Sequence, residues 1–467
     1  MTPSEPAPSQ RLGFTEKLAY GFGDTASNFF FQAFNLFLLI YYTDVFGLAP
    51  AAVGTLMLVT RGLDAVMDPV VGMVADRTRS RWGKFRPYIL FGAIPYGLLG
   101  YLMFAGPNLS AHGKLVYAYV TYILMWVAYT AINIPYSALM GVMSPSSEDR
   151  TSLSTFRFTC AFSGAFLISS FTLPLKNFLG GSNPEAGFRY TMAIFAVISV
   201  VMFLFTFAKT RERVEPPRNQ DTSLKKDLKG LVQNKPWMVL FFAAFLTLAN
   251  VGMRNAAIVY YFKYNVGDNG HKVFLIFDST SLFMGIGSLV FIAGAFSTKL
   301  FTRFFSRRKL MIVLTSINAV GMAAFYFVDP KNLLALNLLN IVATFAVGPT
   351  PAIVWSMYAD TADYGEWKFG RRSTGLVFSA AVFAQKIGLA VGSAMLGWSL
   401  TYFGFVPNAA QSARSLHGIS LMFSLLPGLL GLLSGLVIIW YTLDEQQVKR
   451  MEKELAVRKA GLSGGAA

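Results

Sequence analysis

Twelve apolar stretches, each long enough to cross a bilayer as a helix, limit this chain more than any other feature. They lie at about residues 19–43, 51–75, 87–105, 115–141, 157–178, 189–208, 237–262, 273–298, 310–328, 334–359, 374–403 and 417–442. A helix rises about 1.5 Å per residue, so roughly 20 apolar residues cover the ~30 Å hydrocarbon layer. With 54% hydrophobic and only 14% charged residues over 467 positions, a soluble core could not absorb such runs. The chain is therefore expected to be an all-α polytopic membrane protein with twelve transmembrane helices. Met1–Lys17 is polar and Pro-rich and the first apolar run is a full span in length, so no cleavable signal peptide is expected.

A net charge of +16 would suggest nucleic acid in a soluble protein, but most of the 40 Lys and Arg residues fall in alternate loops. By the positive-inside rule those loops and both termini are cytoplasmic, and no nucleic-acid partner is expected. The longest polar segment, 209–236, reads as a linker. It divides a cytoplasmic N-terminus (1–18) and a six-helix bundle (19–208) from a second bundle (237–442) and a cytoplasmic tail (443–467). A weak internal repeat supports two related halves: DRTSLSTFRF at Asp149–Phe158 resembles GRRSTGLVFS at Gly370–Ser379. Two pseudo-symmetric six-helix bundles with a site near the bilayer midplane are the layout of the major facilitator fold.

The second span carries ions. Arg61, Asp64 and Asp68, spaced i, i+3 and i+7, fall within roughly 60° of one helix face. An Asp or Arg facing lipid at a helix centre costs about 2.5–3.5 kcal/mol, so this face is expected to line a watery or protein-filled interior. One arginine does not neutralise two aspartates, which favours a cation site over a structural ion pair.

Other spans carry further polar groups. On helix 1, Asp24, Asn28, Phe31 and Asn35 share a face and alternate polar groups with rings, as a sugar site would want; interhelical hydrogen bonding is the alternative. Helix 4 places Thr130, Asn133 and Ser137 on one face around Pro135, which frees a backbone carbonyl. Arg157 opens helix 5 near the inner interface, where a snorkelling arginine is the simpler reading. Arg254 interrupts helix 7 as either a gate or a substrate contact. Lys386 in helix 11 is expected to pair with Asp64 or Asp68, and Gly388 and Gly392 beside it to allow close helix approach. The loop holding Asp76, Arg77, Arg81 and Lys84 serves topology and is read as a gating charge network as well. The stretch Tyr358–Arg372, with Asp360, Asp363 and Arg372, reads as a solvated inside loop with ion pairs.

The negative findings narrow the chemistry. Single tryptophans such as Trp126, Trp355 and Trp398 are read as packing ahead of sugar stacking. Cys160 alone excludes an internal disulfide and a cysteine metal site, and its expected role is small and apolar. His112, His271 and His417 fall in or beside outside loops, no phosphate-binding glycine loop occurs, and no nucleophile, base and orienting group occur together. Neither an enzyme nor a cofactor is expected.

At this point the residues resemble the glycoside-pentoside-hexuronide:cation symporters, the melibiose permease family within the major facilitator superfamily. The resemblance rests on EKLAYGFGD at Glu16–Asp24, YYTDVFGL at Tyr41–Leu48, RGLDAVMDPVVG with TRSRWGKFRP, INIPYSAL at Ile132–Leu139, and ADYGEWKFGRRSTGLVFS with QKIG. These pieces span both halves. The resemblance implies sugar or glycoside uptake driven by H⁺, Na⁺ or Li⁺. It implies cation coupling at Asp64, Asp68, Thr130, Asn133 and Lys386. It places substrate at Asn28, Asn133, Ser137 and Arg157, to which the residues themselves add Asp24, Arg61 and Lys386.

The family pattern has aspartates where this chain carries Asn28 and Asn133, and a tryptophan at Ser137. Fewer acids make the site more positive, which suits a uronide or other anionic sugar, and weaken a Na⁺ cage relative to H⁺. The expected protein is thus a monomeric H⁺ or Na⁺ sugar symporter in a bacterial inner membrane, with lipid and a small-molecule sugar as its partners. The alternatives are a lysolipid transporter of the same fold and a non-transporting sensor or scaffold.

Overall fold

The structure, a computed structural model, describes residues 12–144, 146–213, 230–370 and 374–464. Among these the fold is helical, with a single isolated bridge between Phe274 and Phe277. The chain forms two compact units: residues 1–218 with 267–285 and 400–411, and residues 219–266 with 286–399 and 412–467.

The first unit is built from α1 (Phe14–Ala33), α2 (Pro50–Arg77), α3 (Arg86–Leu102), α4 (Ala111–Met143), α5 (Ser147–Gly180) and α6 (Pro184–Lys209). α1 continues through two wider turns, Phe34–Leu38 and Tyr41–Val45, so its helical path extends to Val45. It packs on α5 and α6, while α4 packs on α2 and α3. Hydroxyls tie α1 to its neighbours through carbonyls: Thr206 donates to Ala19 O (2.7 Å), Ser199 to Ala26 O (3.0 Å) and Tyr96 to Ser27 O (2.8 Å). Gly23 is required on this helix because a Cβ there would lie 2.5 Å from the ring of Tyr136.

The second unit holds α7 (Lys235–Tyr260), α8 (Ser279–Phe304, whose first turns count with the first unit), α9 (Arg307–Ala324), α10 (Leu333–Val347), α11 (Thr350–Phe369), α12 (Thr374–Tyr402, whose last residues count with the first unit), α13 (Ala413–Phe423), α14 (Leu425–Ile438) and α15 (Glu445–Gly464). α14 packs on α7 and α9, and α10 on α9. Gly392 and Gly388 bring α12 against α7: a Cβ at Gly392 would sit 2.0 Å from Ala249 O, and one at Gly388 2.5 Å from Phe245 O.

Among the described residues nine helices or continuous helix pairs are long and apolar enough to cross a membrane. The first three helices, at expected spans, fall short of that measure. α3 has 17 residues, and α1 and α2 carry their polar and charged residues mid-span.

Three expected spans differ in detail. The eighth begins at Ser279 instead of residue 273, because Asp278 caps the helix by accepting from Ser281 N (2.7 Å). The tenth runs through a break at Gly348–Pro349 into α11, and α11 stays helical to Phe369. The segment read as a loop from Tyr358 is therefore helix up to that residue.

The twelfth span breaks at Ser424. Pro427 has no N–H to offer Phe423 O, four residues back, and Arg254 Nη1 takes that carbonyl at 3.1 Å. The guanidinium lies 4.5 Å from the Phe325 and Phe423 ring centres and is buried. Arg254 thus completes a broken helix. Arg254→Ala should lower stability by about 1–3 kcal/mol, the cost of an unsatisfied buried carbonyl, read as a lower midpoint in a detergent thermal melt. An unchanged midpoint would contradict this role.

Candidate functional site

The first unit gathers nearly every residue expected to handle ion and substrate. α2 presents Arg61, Asp64 and Asp68 from one stripe, and α4 meets that stripe with Thr130. The Thr130 hydroxyl is 2.6 Å from Asp64 Oδ1 and 3.3 Å from Asp68 Oδ1. A hydroxyl has one hydrogen to donate, so it cannot serve both carboxylates at once. Asp64 and Thr130 are buried, at 3% and 1% exposure, and Asp68 is half-buried. Two carboxylates and a hydroxyl, all hard oxygen groups, make a set that suits a proton or a small hard cation.

Arg61, on the same stripe, is buried and stacks on rings. Its guanidinium carbon lies 3.5 Å from the Trp126 ring centre and 5.7 Å from that of Phe31. Trp126 is buried against Phe31 and Tyr129, so it is a platform for the arginine instead of a free sugar-stacking ring.

A second cluster joins α1, α4 and α5. Arg157 Nε donates to Asp24 Oδ2 at 3.0 Å, and its guanidinium sits 5.3 Å from the Tyr136 ring centre. The snorkelling reading of Arg157 is therefore wrong: a buried carboxylate holds it inside the unit. The same pair neutralises the charge that an anionic sugar was expected to meet there. Asn28 Nδ2 donates to Asp24 O (2.9 Å). Asn133 Nδ2 donates to Tyr129 O (3.0 Å), while its Oδ1 accepts from Ser27 (3.0 Å). Asn133 thus links α4 to α1, and Ser137 lies half-buried one turn further along α4. Asn35 Nδ2 bonds to Phe31 O on its own helix (2.9 Å).

The expected gating residues of the first half lie at the end of α2 and in the loop after it. Arg77 is exposed, Arg81 stacks on Trp82 at 4.1 Å, and the side chain of Asp76 lies outside the described residues. The loop is instead held by a residue that the sequence reading left in the linker. Glu212 accepts from Lys84 N, Phe85 N and Arg86 N at 2.7–3.0 Å, capping α3. Arg213 binds Glu16 through both guanidinium nitrogens (2.7 and 2.9 Å), and Lys17 pairs with Asp149 (3.1 Å).

Burial works against the charge of Asp149. Hydrogen bonds from Lys17, Ser144 and Leu12 N nevertheless hold its carboxyl below the usual range. This stabilisation is complete above the ordinary carboxylate pKa of about 4 and is lost as pH falls through the lower folded value. The thermal midpoint of the protein should therefore exceed that of Asp149→Asn at neutral pH, with the gap closing below about pH 4; a gap that does not change with pH contradicts the assignment.

In the second unit, Asp360 is buried and pairs with Arg307 of α9 at 2.9 Å. Arg372, one of the basic residues expected near these acids, lies outside the described residues, and Asp363 is half-buried on α11. Lys386 is half-buried on α12.

Helices of spanning length with buried ionisable groups between them define an integral membrane protein with a polar interior. The comparisons identify its family. The sequence profile described as MFS/sugar transport protein matches residues 19–445, and the chain belongs to that family of the major facilitator superfamily. It is 36% identical over 457 residues to "Inner membrane symporter YicJ" of Escherichia coli, covering 97% of this chain and 96% of that one. It is 34% identical to "Isoprimeverose transporter" of Lactiplantibacillus pentosus, covering 94% and 90%. It is 30% identical to "Glucuronide carrier protein homolog" of Escherichia coli, covering 97% of both. Among solved structures, a D-xylose-proton symporter superposes with a TM-score of 0.65 at 15% identity, covering 92% of this chain and 98% of that one, and so shares the fold.

Proposed function

We propose that this chain is a secondary symporter that imports a sugar or glycoside together with H⁺ or Na⁺ by alternating access of its two bundles, 19–208 and 237–442. The observation that carries the reading is the Thr130 hydroxyl set between the carboxylates of Asp64 and Asp68. The cation completes this arrangement, while Asp24, Asn28, Asn133, Ser137 and Arg157, with Arg61 beside the carboxylates, take the sugar hydroxyls. Asn133 takes part in both clusters by position, one helical turn after Thr130. Lys386 is assigned by the family resemblance to the basic partner of the carboxylates.

Because Arg157 is already neutralised by Asp24, a neutral glycoside fits this cluster better than a uronide. That the chain resembles an isoprimeverose transporter supports a glycoside as well. The charged residues at the basic face, Asp76, Arg77, Arg81 and Lys84 in the first half and Asp360, Asp363 and Arg372 in the second, hold one conformation and release in the other. In this reading the protein is a monomer of a bacterial inner membrane with both termini cytoplasmic, and it catalyses no covalent step. Resemblance to a protein named an inner membrane symporter supports that location.

Uptake of labelled glycosides into proteoliposomes under an imposed H⁺ or Na⁺ gradient tests the proposal. Accumulation above equilibrium with one gradient, collapsed by the matching ionophore, is the expected result. Equal uptake with and without either gradient would overturn it.

A further inference from the structure

The connection from α7 to α8 carries an apolar tip that the transport reading does not use. Val273, Phe274, Leu275 and Ile276 follow one another and each is at least half exposed, Leu275 at 75%. The turn is closed by its own backbone: Val273 N donates to Phe277 O (2.8 Å) and Phe277 N to Phe274 O (2.9 Å). Leu275 stands at the apex with φ +54°, in the left-handed region. A turn that only had to close would take glycine there at less strain, so the leucine side chain has a use of its own.

The depth of the tip is set by α5. Residues 267–285 count with the first unit. The Phe277 ring meets that of Phe171 edge to face at 5.4 Å, and Asp278 accepts from Asn177 at 3.4 Å. A Cβ at Gly270 would lie 2.7 Å from Asn177 Nδ2, so the start of the connection is seated at the same place. Lys176 and Asn177 close the apolar run of α5, and Phe171 lies about 9 Å further into the span by helical rise. The backbone of the connection therefore runs at the polar end of α5, where headgroups and water reach its N–H and C=O groups, while an apolar side chain at its base already reaches hydrocarbon depth.

That depth selects the partner. At this level the surroundings of a spanning helix are lipid, and Phe178 of α5, next to Asn177, is 83% exposed there as well. Lys272, exposed and directly before the tip, is placed to meet a lipid phosphate. A cation followed by a protruding apolar apex is the composition of an interfacial anchor.

We propose that residues 273–276 are such an anchor. Their side chains lie among the acyl chains of the leaflet away from the basic loops, Lys272 lies at the phosphates, and the α7–α8 connection is thereby held at one depth beside the end of α5. The tip offers no pocket that would distinguish one headgroup from another, so any fluid phospholipid leaflet serves.

Tryptophan fluorescence of the full-length protein in phospholipid vesicles tests this. The chain has seven tryptophans, so the emission added by Leu275→Trp is read as the difference from the native protein. That added emission should be several-fold weaker in vesicles of lipid brominated on its acyl chains and unchanged by iodide in the water. Leu275 and Phe274 are exposed, so both positions are expected to accept tryptophan; an unchanged thermal midpoint checks it, and Phe274→Trp supplies the same reading if Leu275→Trp melts early. Added emission quenched by iodide and not by bromolipid would place the tip in water. Quenching by neither would place it under protein, a second copy included. Either result would overturn the proposal.

Discussion

Asp64→Asn should abolish gradient-driven accumulation of the sugar while leaving the protein folded. Asparagine has nearly the volume of aspartate and still accepts from Thr130 through its amide oxygen, so the α2–α4 contact survives. What disappears is the charge that a proton or metal cation would balance. With a coupling energy of about 1–3 kcal/mol, typical of linked sites, cation should raise sugar affinity some 5- to 150-fold in the native protein and not at all in the variant. Thr130→Val should act in the same direction more weakly, because it removes the bridging hydroxyl and leaves both carboxylates. Counterflow that persists in Asp64→Asn while net accumulation is lost would show that the coupling step alone has been removed.

The second large effect concerns the pair between α1 and α5. Arg157→Gln leaves the carboxylate of Asp24 buried without its 3.0 Å partner, a change that costs about 3–5 kcal/mol in comparable buried pairs. Loss of transport in that variant alone would therefore not separate a substrate contact from a structural role. The double variant Asp24→Asn with Arg157→Gln removes both charges together, and its thermal midpoint should recover most of the loss. Sugar binding should stay lost. A double variant that binds sugar with unchanged affinity would show the pair to be a structural tie only.

How far these residues could be read from the sequence depends on whether their partners are near in the chain. The stripe of Arg61, Asp64 and Asp68 was legible because helical periodicity fixes it, and an ion within an apolar span is conspicuous. Gly388 and Gly392 were legible for a similar reason, as small residues where a helix must be approached closely. The pairing of Arg157 with Asp24, which sets the snorkelling alternative aside, was not legible because the two lie 133 residues apart. Glu212 looked like any linker carboxylate, since nothing local marks it as the cap of a helix that begins 126 residues earlier. The eighth span was placed six residues early because Val273–Phe277 is apolar although it stands outside the helix, and only the capping role of Asp278 sets the true start. In the last span, read as one run over 417–442, the break at Ser424 went unread, as did the contact by which Arg254, 169 residues away, takes the released carbonyl of Phe423. Aromatic context was the weakest signal of all: Trp126 serves the arginine beside it, which no spacing rule reveals.

The most direct test of the central claim is the affinity of purified protein for a transported glycoside, measured by calorimetry across a series of Na⁺ concentrations and of pH values. The account predicts that affinity rises with one of these cations, by Na⁺ addition or by acidification, and that the dependence vanishes in Asp64→Asn. Affinity that stays constant in the native protein across both series would contradict coupling through the carboxylates of α2.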